Sequence, residues 1–224
     1  MPNAGRIEVV AFDCDSTLST LEGIDELARR AGAGGMIAAL TAEAMDGRLD
    51  LETVYGRRIG LVRPGRDDLA WLGGRYVETL VPGAREVVAA LLGEGREVHV
   101  ISGGLRPPVE MLAAALGLPA GCVHAVDVQL DEHGRFAGWD HDAPTARTGG
   151  KAEVLAALAG GRPAVMVGDG ITDLEAKAAG ARVIGFGGVA VRARVRDRAD
   201  AWVAGPSLLP VVDQVRAWDR TDLA

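Results

Sequence analysis

Two carboxylates one residue apart, Asp13 and Asp15, stand where the apolar run Val9-Val10-Ala11-Phe12 stops. A strand of that composition is built for burial, so charge at its end calls for a use. Where a strand ends and the chain turns, side chains two apart can converge on one point while backbone N–H groups fan around it. Such a site suits a divalent cation and a phosphoryl group, with one aspartate to ligate and attack and the other to carry the proton. Two further apolar runs end in polar residues: Ser102 in Val100-Ile101-Ser102-Gly103-Gly104 and Asp169 in Val167-Gly168-Asp169-Gly170. Ser-Gly-Gly and Gly-Asp-Gly are also ordinary turn sequences, so it is their joint placement that carries weight. Asp173, four residues past Asp169, suits a supporting metal ligand or a helix-terminal carboxylate favoured by the macrodipole.

Of 24 basic residues only Lys151 and Lys177 are lysines. An ammonium is a compact point charge and a guanidinium a planar fork, so a lysine kept in so arginine-rich a chain marks a place where chemistry needs one. Lys151 follows Gly149-Gly150 and is the candidate; Lys177 lies in the helical pattern Leu174-Glu175-Ala176-Lys177-Ala178 and reads as solvated surface. Cys14, between the two aspartates, faces away from them on an alternating strand and reads as packing. The four histidines show no paired ligand spacing.

These residues must be positioned by a frame. Strand-length apolar runs at 7–12, 98–101, 164–167 and 183–186 alternate with helical patterns at 84–92, 109–116, 152–158 and 173–179. That rhythm predicts an α/β fold, a Rossmann-like parallel sheet covered on both faces by helices, which brings the strand ends to one edge. From about Ser19 to Thr79 the rhythm breaks into helix-like stretches at 24–31, 36–45, 51–62 and 68–77. This predicts a helical cap, 19–79, inserted after the first strand into a core of 1–18 and 80–224. A cap there sits over the carboxyl edge of the sheet, where open α/β folds bind ligands. A second, small insertion at 128–137 reads as a hairpin.

With 224 residues and 48% hydrophobic composition, one core and a small accessory unit can be buried. A net charge of −7 without a basic run argues against nucleic acid or an anionic membrane as partner. No apolar run approaches the ~20 residues of a membrane span. Two cysteines without ligand spacing and an N-terminus without signal-peptide character make a soluble cytoplasmic chain with reduced thiols the expectation, as a monomer or homodimer acting on a small molecule.

In order along the chain, Asp13-Cys14-Asp15-Ser16-Thr17, Ser102-Gly103-Gly104, Lys151 and Gly168-Asp169-Gly170-Ile171-Thr172-Asp173 resemble the four motifs of the haloacid dehalogenase superfamily. Glu22-Gly23-Ile24-Asp25-Glu26-Leu27-Ala28, Pro82-Gly83-Ala84-Arg85-Glu86, Pro144-Thr145 and Ile184-Gly185-Phe186-Gly187-Gly188 extend the likeness, to its phosphoserine phosphatase branch, over nearly the whole chain. The resemblance implies hydrolysis of O-phospho-L-serine to L-serine and phosphate, within L-serine biosynthesis. Asp13 would be the nucleophile that forms an aspartyl-phosphate and Asp15 the general acid and base. Mg2+ would be held by the Asp13 carboxylate, the Asp15 carbonyl and Asp169, with Asp173 in support. Ser102, Lys151 and the Gly103 N–H would hold the phosphoryl oxygens. In the cap, Glu22 and Arg58 would take the substrate's ammonium and carboxylate, while Met45 and Leu51 would form apolar walls or pack in the helix core; from the core, Thr172 would offer a hydroxyl. The alternative is a phosphatase or phosphotransferase of this fold acting on another small metabolite such as phosphohomoserine. The chain departs from the branch at Leu105, where an aromatic is usual, and at Val126-Asp127, where Asn-Arg is frequent. Both departures concern the pocket more than the chemical centre.

Overall fold

The structure, a computed structural model, describes residues 5–45 and 51–221. Its centre is the strand β1 (Val9–Phe12), four residues buried on both faces. Strand alternation sends Val10 and Phe12 to one face and Val9 and Ala11 to the other. On the first face they pack with α5 (Ala84–Gly93), through Val87 and Leu91, and α10 (Pro210–Thr221), through Val211 and Val215. On the second they pack with Leu155 and Ala159 of α7 (Gly150–Ala159). A run apolar at every position is thus what a strand with helices on both sides demands.

Around β1 lie β2 (Glu97–Leu105), β3 (Val123–Val126), β6 (Ala164–Gly168), β7 (Arg182–Phe186) and β8 (Ala201–Val203), in the order β3-β2-β1-β6-β7-β8 and all parallel. Phe12 pairs with Val100 on one side and Val167 on the other. Asp13 therefore emerges between the ends of β2 and β6, at the point where the chain's crossovers change direction. A separate antiparallel pair, β4 (Val128–Leu130) and β5 (Phe136–Trp139), forms the small hairpin.

Four helices intervene between β1 and α5: α1 (Gly23–Arg30), α2 (Gly34–Met45), α3 (Leu51–Val62) and α4 (Arg66–Glu78). The last packs along α6 (Arg106–Ala115), which follows β2. The hairpin meets the same helices, since the Arg66 N–H donates to the Gly134 carbonyl at 2.8 Å and the Tyr55 and Trp139 rings lie 5.0 Å apart. No helix among the described residues is long and apolar enough to cross a membrane.

Three sequence expectations change. The strand expected to stop at Ile101 continues to Leu105, with its register against β3 broken between those residues, so Ser102 lies inside an irregular strand rather than at its end. The helix expected over 173–179 is a single α-turn, α8 (Ile171–Leu174), followed by a 3-10 turn, Glu175–Ala179, closed by Gly180 in the left-handed region. The edge strands β3 and β8, with α9 (Ala193–Arg198) and α10, were not anticipated.

Candidate active site

The turn after β1 is set by its own backbone. The Asp13 N–H still donates to the Val167 carbonyl at 2.9 Å, after which the Cys14 carbonyl accepts from the N–H groups of Leu18, at 2.9 Å, and Ser19, at 3.0 Å. Ser16 takes a φ of 52°, a conformation uncommon outside glycine and found where surroundings over-determine it. The Asp13 Oδ1 accepts the Cys14 N–H at 2.7 Å. Asp15 points the other way round the turn, its Oδ2 accepting the Gly23 N–H at 3.2 Å and its Oδ1 the Tyr76 hydroxyl. Cys14 itself is fully buried, and burial, with both aspartates near, raises its thiol well above the ordinary range.

Burial, then the negative charge of Glu22, pushes the Asp15 carboxyl up to about 8. A shift in that direction favours the protonated form of the carboxyl.

Lys151 reaches Asp13 from α7. A side chain at Gly150 would bring its Cβ within 1.6 Å of the Pro144 carbonyl oxygen, so only glycine lets this turn press against the loop and drive Lys151 inward. Its ammonium sits 2.8 Å from both Asp13 Oδ1 and Asp173 Oδ1. Burial alone would discharge it, but these two carboxylates outweigh burial and hold its pKa above the ordinary lysine range. Asp173 also accepts the Gly170 N–H at 2.9 Å.

Carboxylate oxygens of Asp13, Asp169 and Asp173, all buried, lie within 4.8 Å of one another. Burial and then Asp13 raise the Asp169 carboxyl, the mark of converging anions short of positive charge. An all-oxygen, net-negative donor set of this kind fits a hard divalent cation. The Asp15 carboxylate is not part of the cluster and faces Gly23 and Tyr76 instead.

Ser102 is buried beside Asp13, its Oγ accepting the Gly104 N–H at 2.9 Å, which leaves its proton to donate. A cavity of about 340 Å³ opens over these groups and is faced by Asp13, Asp15, Ser102, Gly103, Lys151 and Asp169. Glu22, Arg58 and Thr172 face the same cavity. Ser16 Oγ donates to Glu22 at 2.8 Å, and burial raises the Glu22 carboxyl. Arg58 holds Asp25 at 2.7 Å, while its buried Nε has no hydrogen-bond partner among the described residues. Met45 ends α2, and its side chain and that of Leu51 lie outside the described residues.

Four polar side chains facing the cavity were missed. Arg192, after β7, donates to Asp169 at 2.8 Å and to Glu22 at 3.3 Å, tying the metal-type cluster to the start of α1. Thr145 has a buried hydroxyl without a hydrogen-bond partner among the described residues. Tyr55 and Tyr76 also face the cavity and are the chain's only tyrosines. That scarcity was the signal available, the same argument that singled out Lys151. Tyr76 lines the same cavity as Leu105, which is buried in its wall. At the other departure Val126 is buried and Asp127 accepts from Arg106 at 2.6 Å, away from the cavity. Lys177 forms a surface pair with Asp200 at 2.7 Å.

The haloacid dehalogenase-like hydrolase family matches residues 10–177. The rat phosphoserine phosphatase is 38% identical over 199 residues, covering 88% of this chain and 88% of that protein, and the human one is 37% identical with the same coverage. Among solved structures, a phospho-aspartyl intermediate analogue of phosphoserine phosphatase superposes with a TM-score of 0.75 at 26% identity, over 93% of this chain and 99% of that one. A substrate-bound phosphoserine phosphatase complex gives 0.78 at 25% identity, over 93% and 98%. With its α/β sheet, its aspartate cluster and these relatives, the chain belongs to the haloacid dehalogenase-like hydrolase family, among the phosphoserine phosphatases.

Proposed function

We propose that this chain is a phosphatase that hydrolyses O-phospho-L-serine to L-serine and phosphate. Asp13 Oδ attacks phosphorus, the bond from phosphorus to the serine oxygen breaks, and Asp15 gives its proton to that oxygen. Asp15, now a carboxylate, takes a proton from water as the water oxygen attacks phosphorus, and the Asp13 carboxylate leaves. The Asp15 carboxyl pushed up to about 8 supports the first of these roles. Ser102, the Gly103 N–H and Lys151 stabilise the phosphoryl oxygens as charge spreads over them.

Asp13, Asp169 and the Asp15 carbonyl are the groups that would hold Mg2+, with Asp173 in support; bound there, it would supply positive charge to the phosphoryl oxygens. Lys151, fixed between Asp13 and Asp173, keeps the nucleophile aimed.

The observation that carries the substrate choice is Arg58, which lines the cavity and whose buried Nε has no hydrogen-bond partner among the described residues. A carboxylate is the group that satisfies it, and a guanidinium takes one in two parallel bonds. Glu22, in the same cavity, supplies the anion for an ammonium, and Arg192, beside it at 3.3 Å, adds a second cation to the lining. The segment 19–79 acts as the cap that carries this selection. A phosphate-release screen over phosphoserine, phosphothreonine, phosphohomoserine and sugar phosphates tests the reading: phosphoserine is expected to lead, and a sugar phosphate favoured by a wide margin would refute the pocket assignment.

A further inference from the structure

Tyr76 is fully buried on α4, yet its hydroxyl is not spent on packing, because it donates to Asp15 Oδ1. The other oxygen of that carboxyl accepts the Gly23 N–H. The two donors come from opposite ends of the helical insertion, the first residue of α1 and the last turn of α4. They also fit each other: a Cβ at Gly23 would lie 2.0 Å from the Tyr76 hydroxyl oxygen, so a side chain at 23 is incompatible with the tyrosine where it stands. The hydroxyl also lies 3.7 Å from where a Cβ at Gly104 would stand, two residues past Ser102 in β2. An aspartate on a turn has free rotation about two bonds, and a general acid gains its rate only when its proton is held on the line to the leaving oxygen.

We infer that Tyr76 is a positioning residue for this reaction, its hydroxyl and the Gly23 N–H together clamping the Asp15 carboxyl toward the leaving-group oxygen. The clamp also ties Asp15 to the docking of α4 on α6, so the insertion that faces substrate aligns the proton donor. The inference rests on the phosphoserine phosphatase reading, since it presupposes a poor, alkoxide leaving group.

The distinguishing signature is dependence on the leaving group. Serine's alkoxide needs a proton as the bond breaks, whereas the anion of p-nitrophenol leaves without one. Rapid-quench measurement of phosphoenzyme formation is therefore made on wild type and Tyr76→Phe, with phosphoserine and with p-nitrophenyl phosphate. Loss of alignment is expected to slow phosphorylation by phosphoserine by about 10-fold or more, within the ~10²-fold or greater contribution of a positioned proton donor, and to slow phosphorylation by the aryl phosphate far less. A wild type that makes the phosphoenzyme from phosphoserine, with a Tyr76→Phe enzyme slowed equally on both substrates or on neither, overturns the inference alone. A wild type that makes none from phosphoserine overturns the functional reading with it. Gly23→Ala keeps the tyrosine and displaces its hydroxyl, and it is expected to reproduce the same substrate-dependent slowing; it carries the test if Tyr76→Phe fails to fold.

Discussion

Replacing Arg58 by alanine separates substrate recognition from phosphoryl chemistry, because Arg58 sits on α3 and, among the described residues, pairs with Asp25 rather than with Asp13, Lys151 or the aspartate cluster. Truncating one member of a buried, hydrogen-bonded charge pair costs 2–5 kcal/mol or more. The lower part of that range applies, since the Arg58 side chain is 23% exposed and already holds Asp25 before substrate arrives. A loss of about 2–3 kcal/mol in transition-state binding becomes a roughly 30- to 150-fold fall in kcat/KM for phosphoserine at ~1.4 kcal/mol per decade. The fold should be spared: Asp25 is 46% exposed and is rehydrated when its partner goes, so the melting temperature should barely move. Phosphate release is measured in parallel on phosphoserine and on p-nitrophenyl phosphate, which has no carboxylate. Equal losses on both would make Arg58 structural or catalytic, and no loss on either would place the carboxylate elsewhere; each result refutes the assignment.

Lys151→Met should destabilise as well as inactivate, because it leaves the Asp13 and Asp173 carboxylates buried without the ammonium that both touch; about 3–5 kcal/mol is at stake, seen as a drop of roughly 10 °C or more in melting temperature that Mg2+ partly restores. An unchanged melting temperature would show that the ion pair in the site carries no stability. Asp219→Asn should cost about 2 kcal/mol, since Arg96, 2% exposed in its side chain, loses the closer of its two carboxylate partners, at 2.6 Å, and keeps only Glu94 at 2.9 Å. Against burial, Arg96 holds the Asp219 carboxyl below its ordinary range. Stability from this pair is therefore full above the unfolded pKa near ~3.9 and is lost as pH falls through the lower folded value, so the variant's acid-unfolding curve should be flatter there than that of wild type. Excess chelator should silence phosphoserine turnover and added Mg2+ restore it; full activity in chelator would remove the metal from the mechanism.

How far the sequence could be read depended on whether the signal was local. Asp13 and Asp15 were visible because a buried strand and its polar end are contiguous in the chain, and the long helices of the insertion because their breaks fall at glycine and proline. Lys151 stood out through scarcity, and Gly150 beside it is now explained by its contact with Pro144. Arg192 carries no local mark: only the parallel arrangement of β6 and β7 brings the loop after Gly187-Gly188 back over Asp169. Scarcity marked Tyr76, but its role was hidden for a related reason, since its partner Asp15 is 61 residues away. The edge strand β8 is three residues long, too short to show a period, and Ser102 was placed at a strand end because a pattern cannot show that an irregular strand runs on through two glycines. In α10 the buried Val211, Val212 and Val215 do carry helical spacing, so that element was legible and was overlooked.

The central claim is that Asp13 becomes phosphorylated and that Asp15 is needed to release the phosphate. Asp15→Asn removes the base that activates water but leaves Asp13, Ser102 and Lys151 in place. With p-nitrophenyl phosphate, whose leaving group needs no proton, this variant is expected to accumulate a phosphoryl adduct, located by mass spectrometry of the acid-quenched, digested enzyme on the peptide containing Asp13, with one equivalent of nitrophenol released per enzyme and little thereafter. Steady release of phosphate with no adduct on that peptide would contradict the account.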